Sequence, residues 1–427
     1  MILIGIALIL LAAALGAPIF AVIVAAALLG FFGVGTPPTV IGIDLYRLVE
    51  TPLLLALPLF TFAGYLLGES RTSDRLVRLA RAGLGWLPGG LPVMAFLTCA
   101  FLTAFTGASG VTIVALGAML YPALTKAGYP ERFSLGLVTT SGALGLLLPP
   151  SLPLILYAVI AQQLPAGAGV TIQKILTAGL LPCLLMVVAL SLFSLRVTRQ
   201  HGIPLQAFSW RELREAMAEA KWELPLPIFV FAGIYGGFFA VSEAAAMTAL
   251  YVLITQVLIY REINIKQLPR IMREAMMMVG SVLLIVGVAM SFTDWLIDAE
   301  VPRRLFDMVR VHVHNKYVFL LLLTLFLLAL GMMLDIFSSL VIMVPLLLPM
   351  AAGYGVHPLH FGIIFLATME IGYCMPPVGM NLVIGSFRFR KPIIELARAS
   401  LPFMAVLFAV VLIITYVPWL SLAFVKH

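Results

Sequence analysis

The sequence predicts an all-α polytopic membrane protein made of two inverted-topology repeats, each with a re-entrant helical hairpin and a helix broken at a Pro-Pro pair. Three observations predict this fold class. First, 62% of the 427 residues are hydrophobic and only 11% are charged, with a mean hydropathy of +1.12. A soluble domain carries about 25% charged residues, and no soluble core could hide this much apolar surface. Second, the chain matches itself at an offset of 227 residues: Pro122 falls on Pro349, Gly128 on Gly355, Pro149 on Pro376 and Pro150 on Pro377, without a gap. Third, the apolar stretches 92–125 and 317–350 are too long for one span of about 20 residues and too short for two with a loop.

The first half reads as spans near 2–15, 18–33 and 50–68, the long stretch 92–125, an interrupted span at 133–162 and a span at 170–195. The second reads as 224–239, 242–260, 274–297, then 317–350, 360–387 and 397–424. The opening apolar stretch has no charged lead and no small-residue cleavage site, so it reads as mature protein and not as a signal peptide. Cys99, Cys183 and Cys374 lie within apolar segments and read as small buried hydrophobes. A hairpin that enters and leaves on one side fits 92–125 and 317–350; one long tilted helix with a tail is the alternative.

Charge supports the hairpins. With both re-entrant, each half has an odd number of spans and the halves are inverted. The loops 69–91, 126–132, 196–223, 261–273 and 388–398 then share one side. They hold all of the 26 Lys and Arg except Arg47, Lys174, Arg303, Arg304, Arg310, Lys316 and Lys426. The positive-inside rule makes that side cytoplasmic and puts both termini outside. The net charge of +7 is thus an orientation signal and does not point to nucleic acid. The connector 199–224 joins the halves in the cytoplasm. Within it, Ser209 and Glu212 form a Ser-x-x-Glu capping pattern that opens an amphipathic helix.

A Pro-Pro pair removes backbone donors and bares carbonyls inside the membrane. Such a break survives only against protein or a wet cavity, and inverted-repeat transporters use it to hold ions and substrate. The hairpin turns supply the other half of each site. The first, "FTGASGVT" (105–112), packs small and hydroxyl residues whose oxygens suit a small cation or simple helix packing. The second, "GMMLDIFSS" (331–339), carries Asp335, which either ligates a cation or caps the helix that follows. Glu243 reads as a helix-start residue. Glu370 is intramembrane, at a subunit or domain boundary. His357 and His360 read as solvated loop histidines with no metal cluster. No G-x-x-x-x-G-K-[ST] loop and no H-E-x-x-H occurs, and Ser109 has no base nearby in sequence. The chain is therefore read as neither an ATPase nor any other enzyme.

The segments "LPLFTFAGYLL" (57–67), "GASGVTIVALGAMLYPALTKAGY" (107–129), "GLLLPPSLPLILYAVIA" (145–161), "GIYGGFFAVSEAAA" (233–246), "GMMLDIFSS" and "IGYCMPPVGMNL" (371–382) resemble hallmarks of the large membrane subunit of tripartite ATP-independent periplasmic (TRAP) transporters. Ala240, Val241, Ser242 and Glu243 stand where the family usually has Thr-Pro-Thr-Glu. Gly110 and Val111 stand where it often has a second Ser or Thr.

The resemblance implies sodium-coupled uptake of an organic anion, such as a C4-dicarboxylate or sialic acid, across a bacterial or archaeal inner membrane. It implies two partners: a periplasmic substrate-binding protein and a small four-helix membrane subunit. It implies no cofactor beyond sodium as coupling ion. It also implies an elevator, with 92–162 and 317–387 as transport elements moving against scaffold helices in 1–91 and 224–316, and with 163–223 and 388–427 supplying a helix with the connector and the last helix. Sodium is expected at Thr106, Gly107, Ser109 and Gly110 with Pro149 of the first break. A second site is expected at Asp335, Ser338 and Ser339 with Gly372 and Pro376. Substrate contacts are expected from Thr112, Ser151 and Asn381, and around Pro150, Pro377 and Gly379. A stand-alone sodium–dicarboxylate symporter of the same plan is the alternative.

Overall fold

The computed structural model describes residues 2–49, 52–203, 208–235, 238–376 and 378–425, and every regular element among them is a helix. Six helical segments are individually long and apolar enough to cross a bilayer. The chain opens with α1 (Ile2–Ala14), α2 (Ile19–Val34), α3 (Thr39–Val49) and α4 (Ala56–Glu69), followed by the amphipathic α5 (Thr72–Leu84). The first hairpin is α6 (Gly90–Thr106) and α7 (Ser109–Lys126). The first broken helix is α8 (Glu131–Ser141), a tight turn at Leu144–Leu147, and α9 (Leu152–Gln162), bent by 41°. Then come the long α10 (Ile172–Gln200), the connector helix α11 (Trp210–Glu219), α12 (Pro225–Tyr235), α13 (Val241–Leu253) with a π-helical turn to Ile259, and α14 (Leu268–Asp298).

The second repeat continues with α15 (Val301–His312), the hairpin α16 (Lys316–Gly331) and α17 (Ile336–Gly353), the broken pair α18 (Pro358–Gly372) and α19 (Met380–Phe389), then α20 (Ile393–Tyr416) and α21 (Trp419–Leu422). Shifted by 227 residues, α7 coincides end for end with α17, while α5, α6, α8 and α9 fall on α15, α16, α18 and α19. The proline offset read from sequence is therefore a repeat of whole elements.

The hairpins enter from opposite ends of the bundle, and α20 shows it. At its start Lys391 pairs with Glu131 at 2.7 Å, beside the base of the first hairpin. At its end the Tyr416 hydroxyl donates to the Tyr317 carbonyl at 3.2 Å, at the base of the second. Twenty-four helical residues separate these points by about 36 Å. Both tips nevertheless reach one cavity in the interior. The second arm of each hairpin packs on the far half of the opposite broken helix, α7 on α19 and α17 on α9, so the repeats interlock. On the other side α4 and α14 pack together with α2, α3 and α13.

Two local devices set these elements. Gly107 ends α6 with φ +66°, and a Cβ there would sit 2.3 Å from the Leu152 side chain. Gly331 and Gly372 touch backbone to backbone, a Cβ on Gly372 falling 2.7 Å from Gly331 Cα. Close approach of this kind replaces the hydrophobic drive that lipid cannot supply between helices.

Several sequence readings change. The span expected at 50–68 is helical throughout Pro52–Glu69, a tight turn at Pro52–Leu55 running into α4; within 224–239 the described helix is 11 residues, about 16 Å long, and α3 is a separate amphipathic element. His360 is buried and not solvated: its Nδ1 lies 3.1 Å from Ser421 Oγ and its Nε2 3.2 Å from the Thr415 carbonyl, tying α18 to α20 and α21. His357 caps α18, its Nδ1 accepting from the Leu359 N–H. Glu370 is buried, near Cys183 of α10 and Cys374 of the second break. Neither of its oxygens has a hydrogen-bond partner among the described residues.

Candidate functional site

The first break answers for its own backbone. Where the helical ladder opens, side chains donate to the bared carbonyls: Thr103 Oγ1 to Gly142 at 2.7 Å, Cys183 Sγ to Leu144 at 3.4 Å, Ser151 Oγ to Leu146, and Asn381 Nδ2 to Thr139 at 3.4 Å. Cys99 accepts from Ser141 and Cys374 reaches the Thr139 carbonyl. All three cysteines are thus buried, as their setting suggests, and all three surround one break. Unpaired carbonyls here would cost several kcal/mol each in lipid; protein donors remove that cost and leave the break rigid.

Asn381 links the repeats. It is fully buried at the start of α19, accepts from Ser109 Oγ at 2.7 Å, and donates toward the Thr139 carbonyl. Its own N–H bonds to the Tyr373 carbonyl at 3.1 Å. One side chain therefore joins the first hairpin tip to both broken helices. The second tip is held separately. Asp335 Oδ2 accepts from the Phe337 and Ser338 N–H groups, both at 3.0 Å, capping α17. The Gly379 N–H donates to the Met332 carbonyl at 3.2 Å, fastening the tip to the second break.

The tips converge on a cavity of about 780 Å³. One wall is Gly107–Val111 and Asp335–Ser338. The facing wall comes from α4 and α14, with Tyr65, Glu69, Glu274, Met278 and Ile285. Tyr65 Oη donates to Met278 Sδ at 3.6 Å across that wall. At the α4 end, Arg270 bridges Glu69 at 2.6 Å and Glu274 at 3.1 Å. The charged side chains on the cavity wall are Glu69, Glu274 and Asp335, all acidic.

Of the residues expected from sequence, Gly107, Ser109, Gly110, Asp335 and Ser338 line this cavity. Thr106 is buried at the end of α6, its hydroxyl 3.4 Å from the Ala108 carbonyl. Ser339 is buried behind Ser338 with no partner for its hydroxyl among the described residues. Thr112 is turned inward, sharing a 2.6 Å hydrogen bond with Thr103, and Ser151 is spent on the Leu146 carbonyl. Pro149, Pro150, Gly372 and Gly379 shape the breaks without lining the cavity, Pro376 is exposed, and Pro377 lies outside the described residues. Sequence reasoning missed the residues of the facing wall: it singles out neither Glu69, at the start of the loop 69–91, nor Glu274, the first residue of the span 274–297, and no motif pairs α4 with α14.

A family model described as the DctM component of the tripartite ATP-independent periplasmic transporter matches residues 3–420. The chain belongs to this family. The TRAP large permease protein DctM of Rhodobacter capsulatus, named for C4-dicarboxylate, is 33% identical over 91% of this chain and 90% of its own length. The isethionate TRAP permease protein DctMQ of Oleidesulfovibrio alaskensis is 34% identical over 87% of this chain and 58% of its own. Among solved structures, the YdaH transporter of Alcanivorax borkumensis, described as having an unusual topology, superposes with a TM-score of 0.67 at 16% identity, covering 91% of this chain and 88% of that one. This last likeness is one of fold. The chain is thus a TRAP large permease subunit, and its family is one of transporters.

Proposed function

We propose that this TRAP permease imports an organic anion, a carboxylate, using a sodium gradient, and that it moves the anion by carrying the two hairpins and two broken helices as a unit past α4 and α14. The observation that carries the proposal is the convergence of both hairpin tips on one cavity whose other wall is α4 and α14. Lipid does not tolerate open backbone, so a site made of such backbone must travel with its surroundings.

In this reading the hydroxyls and carbonyls around Thr106, Gly107 and Ser109, and those around Asp335, Ser338 and Ser339, hold sodium. The buried hydroxyl of Ser339, unpartnered among the described residues, supports the second site, because a hard oxygen with no hydrogen-bond partner there suits a cation stripped of water. Bound sodium offsets the charge of Asp335 and of the incoming carboxylate. The break carbonyls already held by side chains, and Thr112 and Ser151, serve as frame. A periplasmic binding protein delivers the substrate, a small membrane subunit completes the scaffold, and the arginine-rich loops face the cytoplasm. The cavity then opens inward in this structure.

Reconstituted uptake tests this. The chain with its small subunit and binding protein, in liposomes, should take up substrate only with sodium outside in excess, and Asp335→Asn should remove most of the sodium dependence. Uptake by the chain alone would favour a stand-alone symporter. Uptake indifferent to sodium in the wild type would remove the ion assignment.

A further inference from the structure

The 29 residues of α10 extend over about 43 Å, more than a hydrocarbon core of about 30 Å, so the ends of this helix reach the headgroup layers. Leu184, Val188 and Leu192 are exposed and recur every fourth residue, which sets them in one stripe along the helix. Arg196 and Arg199 continue that stripe at the end of the helix, and both are exposed. Neither guanidinium has a hydrogen bond or ion pair among the described residues. Carboxylates are scarce in this part of the chain. Between Asp74 and Glu212 the one acidic residue is Glu131, and it is paired with Lys391 at 2.7 Å. The loop into the first hairpin packs on the same turn of α10: a Cβ on Gly89 would stand 3.2 Å from Leu195 Cα and 3.5 Å from Thr198 Oγ1. Three residues earlier, Trp86 is exposed and set edge to face against Phe208, which meets Trp210 in the same way. Exposed tryptophans gather at the membrane–water interface.

We propose that this corner binds an anionic phospholipid, its phosphate on Arg196 and Arg199 and one acyl chain along Leu184, Val188 and Leu192. Such a site shares no residue with the cavity wall and is independent of the transported substrate. A guanidinium presents a planar pair of N–H donors that matches a phosphate, and its charge is always present. A zwitterionic headgroup carries its own cation beside the phosphate, and two arginines without carboxylate partners repel that cation. An anionic headgroup meets only positive charge, worth about fivefold for each basic side chain at the surface. A soluble acidic partner would leave the aliphatic stripe unused. A ligand with an apolar tail and an anionic head, a helix turn apart, fits both parts.

Photolabelling of the purified full-length chain in phosphatidylcholine nanodiscs tests this. Two probes carry the same photoactivatable acyl chain, one on phosphatidylglycerol and one on phosphatidylcholine, each added as a minor fraction of the lipid. Peptide mapping should find residues 184–199 labelled at least fivefold more by the phosphatidylglycerol probe. High salt should reduce that preference at least twofold. Arg196→Gln with Arg199→Gln should bring the two probes within twofold of each other, whereas Arg196→Lys with Arg199→Lys, which keeps the charge, should preserve most of the difference. Equal labelling of the wild type by both probes would show a lipid-facing helix that does not select headgroups, and would overturn the proposal. Labelling by neither probe would also overturn it, because a protein partner or a second copy of the chain then covers the stripe. So would a preference that survives the double Gln change in a protein with an unchanged thermal transition.

Discussion

Asn381 shows how much one side chain can hold at the seam between repeats. Its amide satisfies Ser109 on one side and faces the Thr139 carbonyl on the other, all of it buried. Removing a buried partner leaves the remaining group unsatisfied, at about 1–3 kcal/mol, whereas a neutral hydrogen bond contributes about 1 kcal/mol net. Asn381→Ala should therefore destabilise the protein by about 2 kcal/mol and Ser109→Ala by about 1 kcal/mol, as read by thermal unfolding in nanodiscs. Because the two share a bond, the double variant should lose less than the sum. Strict additivity would show that the seam is not held there. At this scale the sequence was only partly legible. "GASG" and the Asn after the second Pro-Pro pair were visible as polar positions, but their partner was not, because the two are 272 residues apart.

Single elements depend on caps and clamps that sequence pattern shows more readily. Ser209 Oγ accepts from the Glu212 N–H at 3.3 Å, as the capping pattern predicts. The Glu212 carboxylate does not turn back to complete the box. It pairs instead with Arg78 of α5 at 2.8 Å, an ion pair being the stronger claim on it. That hydrogen bond from Arg78 holds the Glu212 carboxyl below the usual carboxylate range. A depressed folded value means that the docking of α11 on α5 is fully supported above the unfolded value of about 4.5 and is lost as pH falls through the folded one. Spin labels on α5 and α11 should report a single short distance at pH 7 that broadens well below pH 4.5. In Arg78→Gln the distance should already be broad at pH 7, and a wild-type distance unchanged to pH 3 would dispose of the clamp. The first hairpin turns on Gly107 for a different reason. A side chain there meets both a positive φ and the Leu152 side chain. Gly107→Val should cost about 1–3 kcal/mol from the backbone alone and abolish uptake, while Gly128→Ala, which shares the positive φ but whose added Cβ meets nothing within 4 Å, should lose stability and retain uptake. Equal activity in the two variants would mean that the tip tolerates rearrangement.

Across the whole molecule, the seam between α4 with α14 and the two hairpins is where the proposed motion occurs. Gly68 of α4 lies on that seam, and a Cβ there would stand 3.5 Å from Val111 Cγ1 of the first hairpin. Cysteines at 68 and 111, in a background without Cys99, Cys183 and Cys374, should crosslink with a short bifunctional reagent or by oxidation and stop uptake. Reversal of the disulfide should restore it. Full uptake by the crosslinked protein would exclude sliding along this surface and with it the elevator.

Composition, proline spacing and arginine placement sufficed to determine the class, the repeat and the two hairpins. These are local or periodic signals: an apolar run of a given length, or a missing backbone donor, has its consequence wherever the chain goes. Even Asp335 was legible as a cap, since capping is decided within three residues. The tertiary structure alone decided which polar groups face the cavity and which are consumed in closing the breaks. Thr112, Ser151 and the three cysteines look like candidates or bystanders in sequence, and only their neighbours assign them to the frame. The facing wall from α4 and α14 is likewise a product of packing. Hydrogen bonds and cavity walls form between segments hundreds of residues apart, and nothing in a linear pattern specifies which donor reaches which carbonyl.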